Sequence, residues 1–196
     1  MTRSLTVTRT ILAAAAFTCA RACQPPNCDN ADHGSCGNAC CKLNIIVSGP
    51  ASNPPRSADV MTALNETLAH GGPDGRYSFP KLAGGGFGFS DLRPYNLSVD
   101  FIGQTHHLTY KRQFTDTQDY TISSTTYQGA PAVAIKAFSI SQIGGAYGDA
   151  GQNYKNLYEG CVFGLAKSTA ARLYLWHFHV ENADDSCPPP TPKKKL

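Results

Sequence analysis

AFSISQIGGAYGDAGQNYKNLYE, running from Ala137 to Glu159, holds the end of a strand, a glycine-rich turn and the start of a helix. Just upstream and into it, Ala132 to Ile140 is rich in Val, Ile and Phe with a single Lys and no acid, which predicts a partly buried strand. Gly144, Gly145, Gly148 and Gly151 then crowd the turn, so the backbone there takes positive φ or passes close to another group. Asp149 and Gln152 have capping-box spacing, with the carboxylate capping the N3 amide and the glutamine reaching back. Tyr154, Leu157, Tyr158, Cys161 and Leu165 follow at helical intervals, although Gly160 and Gly164 each cost that helix about 1 kcal/mol relative to Ala.

Outward from this stretch, the rest of the chain alternates in the same way. Lys42 to Ser48 reads as a first strand, and Ser57 to His70 as a helix with Val60, Leu64, Thr67 and Leu68 on one face, stopped by Gly71-Gly72-Pro73. Two hairpins are expected: Tyr95–Phe101 with Thr105–Arg112 around Gly103-Gln104, and Tyr120–Tyr127 with Ala132–Ile140 around Gln128-Gly129. Arg172 to Glu181 (RLYLWHFHVE) reads as a last strand, with Tyr174, Trp176, Phe178 and Val180 on one face and Leu173, Leu175, His177 and His179 on the other. The fold expected is therefore α+β: an antiparallel sheet of five to seven strands against one or two helices, with a disulfide-rich N-terminal segment.

The chain divides into a signal peptide (1–22), a cysteine-rich segment (23–41), one α+β domain (42–187) and a Pro/Lys tail (188–196). Arg3 and Arg9, the apolar run Ile11 to Ala20 and the Ala20-Arg21-Ala22 triplet make a secretory leader too short to span a membrane. A plastid or other organelle transit peptide is the alternative, since no acid precedes Asp29. Removing Arg3, Arg9 and Arg21 takes the 17 basic residues to 14, against 14 acidic, so the mature chain is near neutral and offers no nucleic-acid surface.

Cys23, Cys28, Cys36, Cys40 and Cys41 sit among Gly, Asn, Asp and Pro that build no core, so covalent staples are expected, with Cys187 as a sixth partner. Zinc held by Cys36, Cys40, Cys41 and His33 is the competing pattern, but no paired CxxC supports it. Cys161, on the apolar face of the helix, is expected to be the buried free thiol.

Candidate chemistry is thin. His177 and His179 share a strand face and, with His106 or His107, are weak metal-ligand candidates; no metal and no cofactor is implied. Asp116 and Asp119 lie close enough in sequence for an acid/base pair, but read equally as the polar start of a strand. No nucleophile elbow and no HExxH occurs, so no catalytic residue is assigned. The sequons Asn65-Glu66-Thr67 and Asn96-Leu97-Ser98 fit a secreted glycoprotein.

Ser141, Gly144, Tyr147, Asp149, Gly151, Asn153 and Lys155 resemble the signature of the family called domain of unknown function 1499, whose members end their sheet with Ser-Arg-x-Gly-Tyr-Ser-Asp-x-Gly-x-Asn. Here Gln142 replaces the Arg, and Gly145-Ala146 is inserted. The resemblance implies an extracytoplasmic or lumenal domain without an established activity. Ligand-binding candidates are Ser141, Gln142, Tyr147, Asp149, Asn153 and Trp176. The function expected is a non-enzymatic module for a small apolar or lipid-like ligand or a protein partner, the alternative being a secreted hydrolase or metal-dependent enzyme.

Overall fold

The longest pair of strands, β7 (Thr115–Tyr127) and β8 (Ala130–Ser141), forms the spine of a computed structural model that describes residues 39–82, 85–86, 88–109, 114–142 and 151–181. Only Gln128 and Gly129 join them, both at positive φ (51° and 79°), which is the twist a two-residue hairpin turn requires. On one side β8 pairs with β1 (Cys40–Ser48), which pairs with β9 (His177–Glu181). On the other, β7 pairs with β6 (Phe101–Leu108), which is flanked by β2 (Tyr77–Ser78) and β5 (Phe89–Asp91). The seven strands that the described residues contribute to this sheet are all antiparallel, in the path β2-β6-β7-β8-β1-β9 with β5 also on β6. A separate short ribbon pairs β3 (Lys81–Leu82) with β4 (Gly85–Gly86).

Among the described residues three helices pack on one face: α1 (Ser57–Ala69), α2 (Gln152–Leu157) and α3 (Thr169–Tyr174), with a π-helical run Tyr158–Gly164 after α2. The fold is thus α+β, as the hydrophobic periods predict. Val60, Leu64 and Leu68 of α1 are fully buried, each removal from water being favourable by about 1.5–3 kcal/mol. After α1 the amides of Gly71 and Gly72 donate to the carbonyls of Leu68 and Thr67, both glycines being at positive φ. The Tyr77 ring then folds over Gly72, where a Cβ would meet it at 2.2 Å.

Registers place residues of four strands in transverse rows on the helix-covered face. Phe101, Ile122, Ile135 and Ile45 make one row and Gly103, Tyr120, Ala137 and Leu43 the next. Thr105, Gln118, Ser139 and Cys41 follow, then His107, Asp116 and Ser141. Within two rows the inner face passes from wholly apolar to largely polar. That gradient locates the site.

Three local expectations are corrected. Gly103-Gln104 is no turn: β6 runs straight through it, and Arg93–Tyr95 is a 3-10 turn ended by Asn96 in the left-handed region. Gly103 serves close packing, since a Cβ there would lie 2.6 Å from the Phe89 ring. Secondly, Arg172–Tyr174 is the end of α3, not strand; Ser168 Oγ caps that helix by accepting the Ala171 amide, and β9 starts only at His177. Alternation holds from Trp176 onward, where Trp176 and Phe178 face the core.

Thirdly, α2 starts at Gln152 behind Gly151 (φ 80°), with no side-chain cap supplied among the described residues, so Gln152 is its first residue and no N3 partner. Gln152 Nε2 donates forward to Asn156 Oδ1 at 2.7 Å; Asp149 lies outside the described residues. Burial beyond this point steps in fours, Asn153-Leu157-Cys161-Leu165 and Asn156-Gly160-Gly164, while Tyr158 faces solvent. The wider π turn explains that period. Gly160 and Gly164, unfavourable for helix propensity, admit the Tyr77 ring and the Thr67 methyl at 3.1 and 2.9 Å from where a Cβ would be.

Candidate functional site

At the polar end of the inner face, Asn153 and Asn156 on α2 lie over Ser139 and Ser141 of β8 and Asp116 and Gln118 of β7, all buried. Asn153 Nδ2 donates to the Ala39 carbonyl (2.8 Å) and to Ser141 Oγ (3.1 Å), while its Oδ1 accepts from Ser139 Oγ at 2.6 Å. Asn156 Nδ2 donates to Asp116 Oδ2 at 2.8 Å, and its carbonyl accepts the Tyr77 hydroxyl at 2.6 Å. Gln118 Nε2 donates to the Asp116 carbonyl and Ser139 Oγ, and its Oε1 accepts from Thr105 Oγ1. Such a network, once satisfied, fixes one docking of helix on sheet.

His107 borders this network. Its Nε2–H donates to Asp74 Oδ2 at 2.9 Å, and its ring lies 4.6 Å from the Tyr77 ring. Nδ1 is buried and has no hydrogen-bond partner among the described residues. Arg76 Nη1 stands 3.7 Å from the same Asp74 oxygen. Burial drives the Tyr77 hydroxyl well above the usual phenol range, reinforced by the negative charge of Asp74. The same desolvation raises Tyr120 and the Cys161 thiol. Cys161 is therefore a protonated core thiol rather than a nucleophile, and it is free as expected, whereas Cys40 and Cys41 are disulfide-bonded.

Of the residues singled out from sequence, Ser141 and Asn153 meet in the network. Gln142 points to the opposite face, donating to Thr117 Oγ1 at 2.6 Å. Trp176 is remote, a core residue beside Tyr174 (rings 5.8 Å apart) whose buried Nε1 has no hydrogen-bond partner among the described residues. Tyr147 and Asp149 lie outside the described residues. Asp116 and Asp119 occupy opposite faces of β7, so they form no acid/base pair; Asp119 Oδ1 accepts from Gln104 Nε2 on the outer side.

The histidines do not converge. His106, half-buried and with its pKa lowered by burial, is on β6, whereas His177 and His179 are on β9, four strand spacings or about 19 Å away along the sheet. His179 Nε2 pairs with Ser48 Oγ at 2.9 Å, and its ring stacks on Tyr127. No cluster of metal-ligating side chains occurs among the described residues.

Sequence reasoning missed His107–Asp74, because Asp74 lies in the Pro73-Asp74-Gly75 turn, far from β6 in sequence. It also missed the surface of α3. Leu173 and Leu175 are 70% and 65% exposed, and Leu175 takes φ 54°, a region leucine rarely adopts. These two leucines immediately precede β9, the edge strand of the sheet among the described residues.

No family model, no curated protein and no solved structure matches the chain. No helix among the described residues is long and apolar enough to cross a membrane.

Proposed function

We propose that this chain is a non-enzymatic binding module of the secretory route or an organelle lumen, and that its partner is an extended protein segment added beside β9. Cys23, Cys28, Cys36, Cys40, Cys41 and Cys187 form three bridges that staple its ends. The observation that carries the partner assignment is Leu175: an exposed leucine at a helix end in the left-handed conformation, where glycine is the stable choice. Retaining a strained, exposed apolar side chain beside an edge strand fits strand addition, in which backbone pairing supplies affinity and flanking apolar contacts supply selectivity. A small apolar ligand is less well supported. The aromatic side chains Phe101, Tyr120, Tyr77 and Trp176 pack into the core with Leu43, Ile45 and Leu64.

Panning of extended random peptides on the immobilised protein tests this. Binders that lose tenfold or more affinity for a Leu173→Glu/Leu175→Glu protein of unchanged stability support the assignment; binders indifferent to both changes sink it.

A second reading, an acid/base site, is favoured by one observation: the Asp74-paired His107 with its second ring nitrogen buried and without a hydrogen-bond partner among the described residues. Hydrolysis of simple ester or amide substrates that disappears in both His107→Gln and Asp74→Asn would establish it over the first.

A further inference from the structure

The two sequons occupy very different settings. Asn65 lies mid-way along α1 between the fully buried Leu64 and Leu68, and its Oδ1 accepts the Phe89 amide at 3.4 Å. A Cβ on Gly88 would stand only 2.3 Å from that oxygen, so the carboxamide is pressed against the β5 segment. Thr67, the hydroxyl residue of the same triplet, donates Oγ1–H to the Ala63 carbonyl at 2.7 Å and packs its methyl toward Gly164. Asn96 is the reverse case. It ends a three-residue 3-10 turn with φ 53° and ψ 44°, and Asn96, Leu97 and Ser98 are all exposed. Its flanking side chains Tyr95 and Leu97 are 70% and 58% exposed, so the whole triplet stands clear of the domain.

From this contrast we infer that Asn96 is an N-glycosylation site of the folded protein and that Asn65 is not. The inference rests on the secretory reading above. The donor is an oligosaccharide linked to a lipid pyrophosphate, and the transferase belongs to the host secretory route. The anomeric C1–O bond to pyrophosphate breaks, a C1–N bond forms to Asn96 Nδ2, one amide proton is released and the lipid pyrophosphate leaves; no electrons are gained or lost. At Asn96 the added sugar projects into solvent from an exposed turn. At Asn65 it would have to occupy the contact with Gly88 and Phe89, so a chain modified there does not close α1 onto β5.

The test expresses the full chain in a eukaryotic secretory cell, once with its own first residues leading and once behind a proven secretory leader. Secreted protein is treated with an amidase that releases N-glycans and converts each occupied Asn to Asp, then peptide-mapped. The expected result is Asp at 96 and Asn at 65, with the single glycan-dependent mobility shift abolished by Asn96→Gln and kept in Asn65→Gln. If only the arm with the proven leader is glycosylated, the secretory reading fails while the Asn96 assignment stands. Unmodified Asn96 in protein secreted from that arm overturns the assignment. So does a glycan on Asn65 of secreted protein whose thermal transition matches that of Asn65→Gln.

Discussion

The ring of Tyr127 on β7 stacks on the imidazole of His179 on β9, with centroids 4.6 Å apart and planes 26° from parallel, although β8 and β1 lie between those strands. The β8 positions beneath on that face are Ala132 and Ala134, short enough for the tyrosine to reach across. Aromatic pairs of this kind contribute about 0.5–1.5 kcal/mol beyond area burial. Tyr127→Ala and His179→Ala should therefore each destabilise, and a double-mutant cycle by urea unfolding should return a coupling of about 1 kcal/mol. Additive effects would mean the two rings merely coexist. Zinc should leave the melting temperature of the wild type unchanged, because His179 is engaged by Tyr127 and Ser48.

Asn153 joins α2, β8 and the residue just before β1 through hydrogen bonds to Ser139, Ser141 and Ala39. Asn153→Ala deprives several buried groups of a partner at once, so we expect a loss of about 2–4 kcal/mol in chemical denaturation. Asn153→Asp keeps the acceptor but not the donors and should be comparably harmful. Gln152→Ala, removing only the Asn156 contact at a part-buried position, should cost under about 1 kcal/mol. Equal effects at 152 and 153 would show that the network does not fix the helix.

What the sequence made legible follows from whether a signal was local. β1, α1 and the β7–β8 hairpin were readable because alternation, the Val60/Leu64/Leu68 face and Gln128-Gly129 are short-range patterns with one structural solution. Gly103 misled, since its role depends on Phe89, a residue brought over it only by the β5–β6 pairing. Leu175 misled for a related reason: alternation from Leu173 to Val180 suits a strand, yet the Ser168 cap and the Thr169-Ala170-Ala171 run commit the chain to helix first. The polar rows were half legible. Ser141 and Asn153 were flagged, and Asp116 was singled out but paired with Asp119 across the strand. The place of Asp116 and Gln118 in the network became visible only through strand register, and that of Asn156 only through the packing of α2 on the sheet.

Tyr77, Tyr120 and Cys161 share one region, and burial raises the pKa of all three. They stay neutral when folded, whereas the unfolded chain ionises them near about 8.5 for the thiol and about 10 for the phenols. Their contribution is therefore complete below about pH 8 and is lost as pH rises through the alkaline range toward the folded-state values. Each group ionised only in the unfolded state tilts stability by about 1.4 kcal/mol per pH unit. Urea midpoints measured from pH 7 to 11 should fall steeply above pH 9, and Cys161→Ala should make the fall shallower between pH 9 and 10. A flat profile to pH 11 would contradict the burial of these groups.

The sharpest test of the partner assignment uses Leu175. Its φ of 54° and ψ of 48° are a helix C-cap conformation that glycine adopts freely and leucine only at a cost of about 1 kcal/mol. Because the side chain is 65% exposed, removing it forfeits little packing. Leu175→Gly should therefore stabilise the protein by about 0.5–1 kcal/mol, raising the melting temperature by a few degrees. If that leucine is retained for contact with a partner, the same change should weaken any peptide selected on the wild type, so stability and binding move in opposite directions. Leu173→Gly is the control: it lies inside α3, where glycine costs helix stability, and should lower both. A Leu175→Gly protein that is more stable and binds selected peptides as well as the wild type would remove the observation on which the assignment stands.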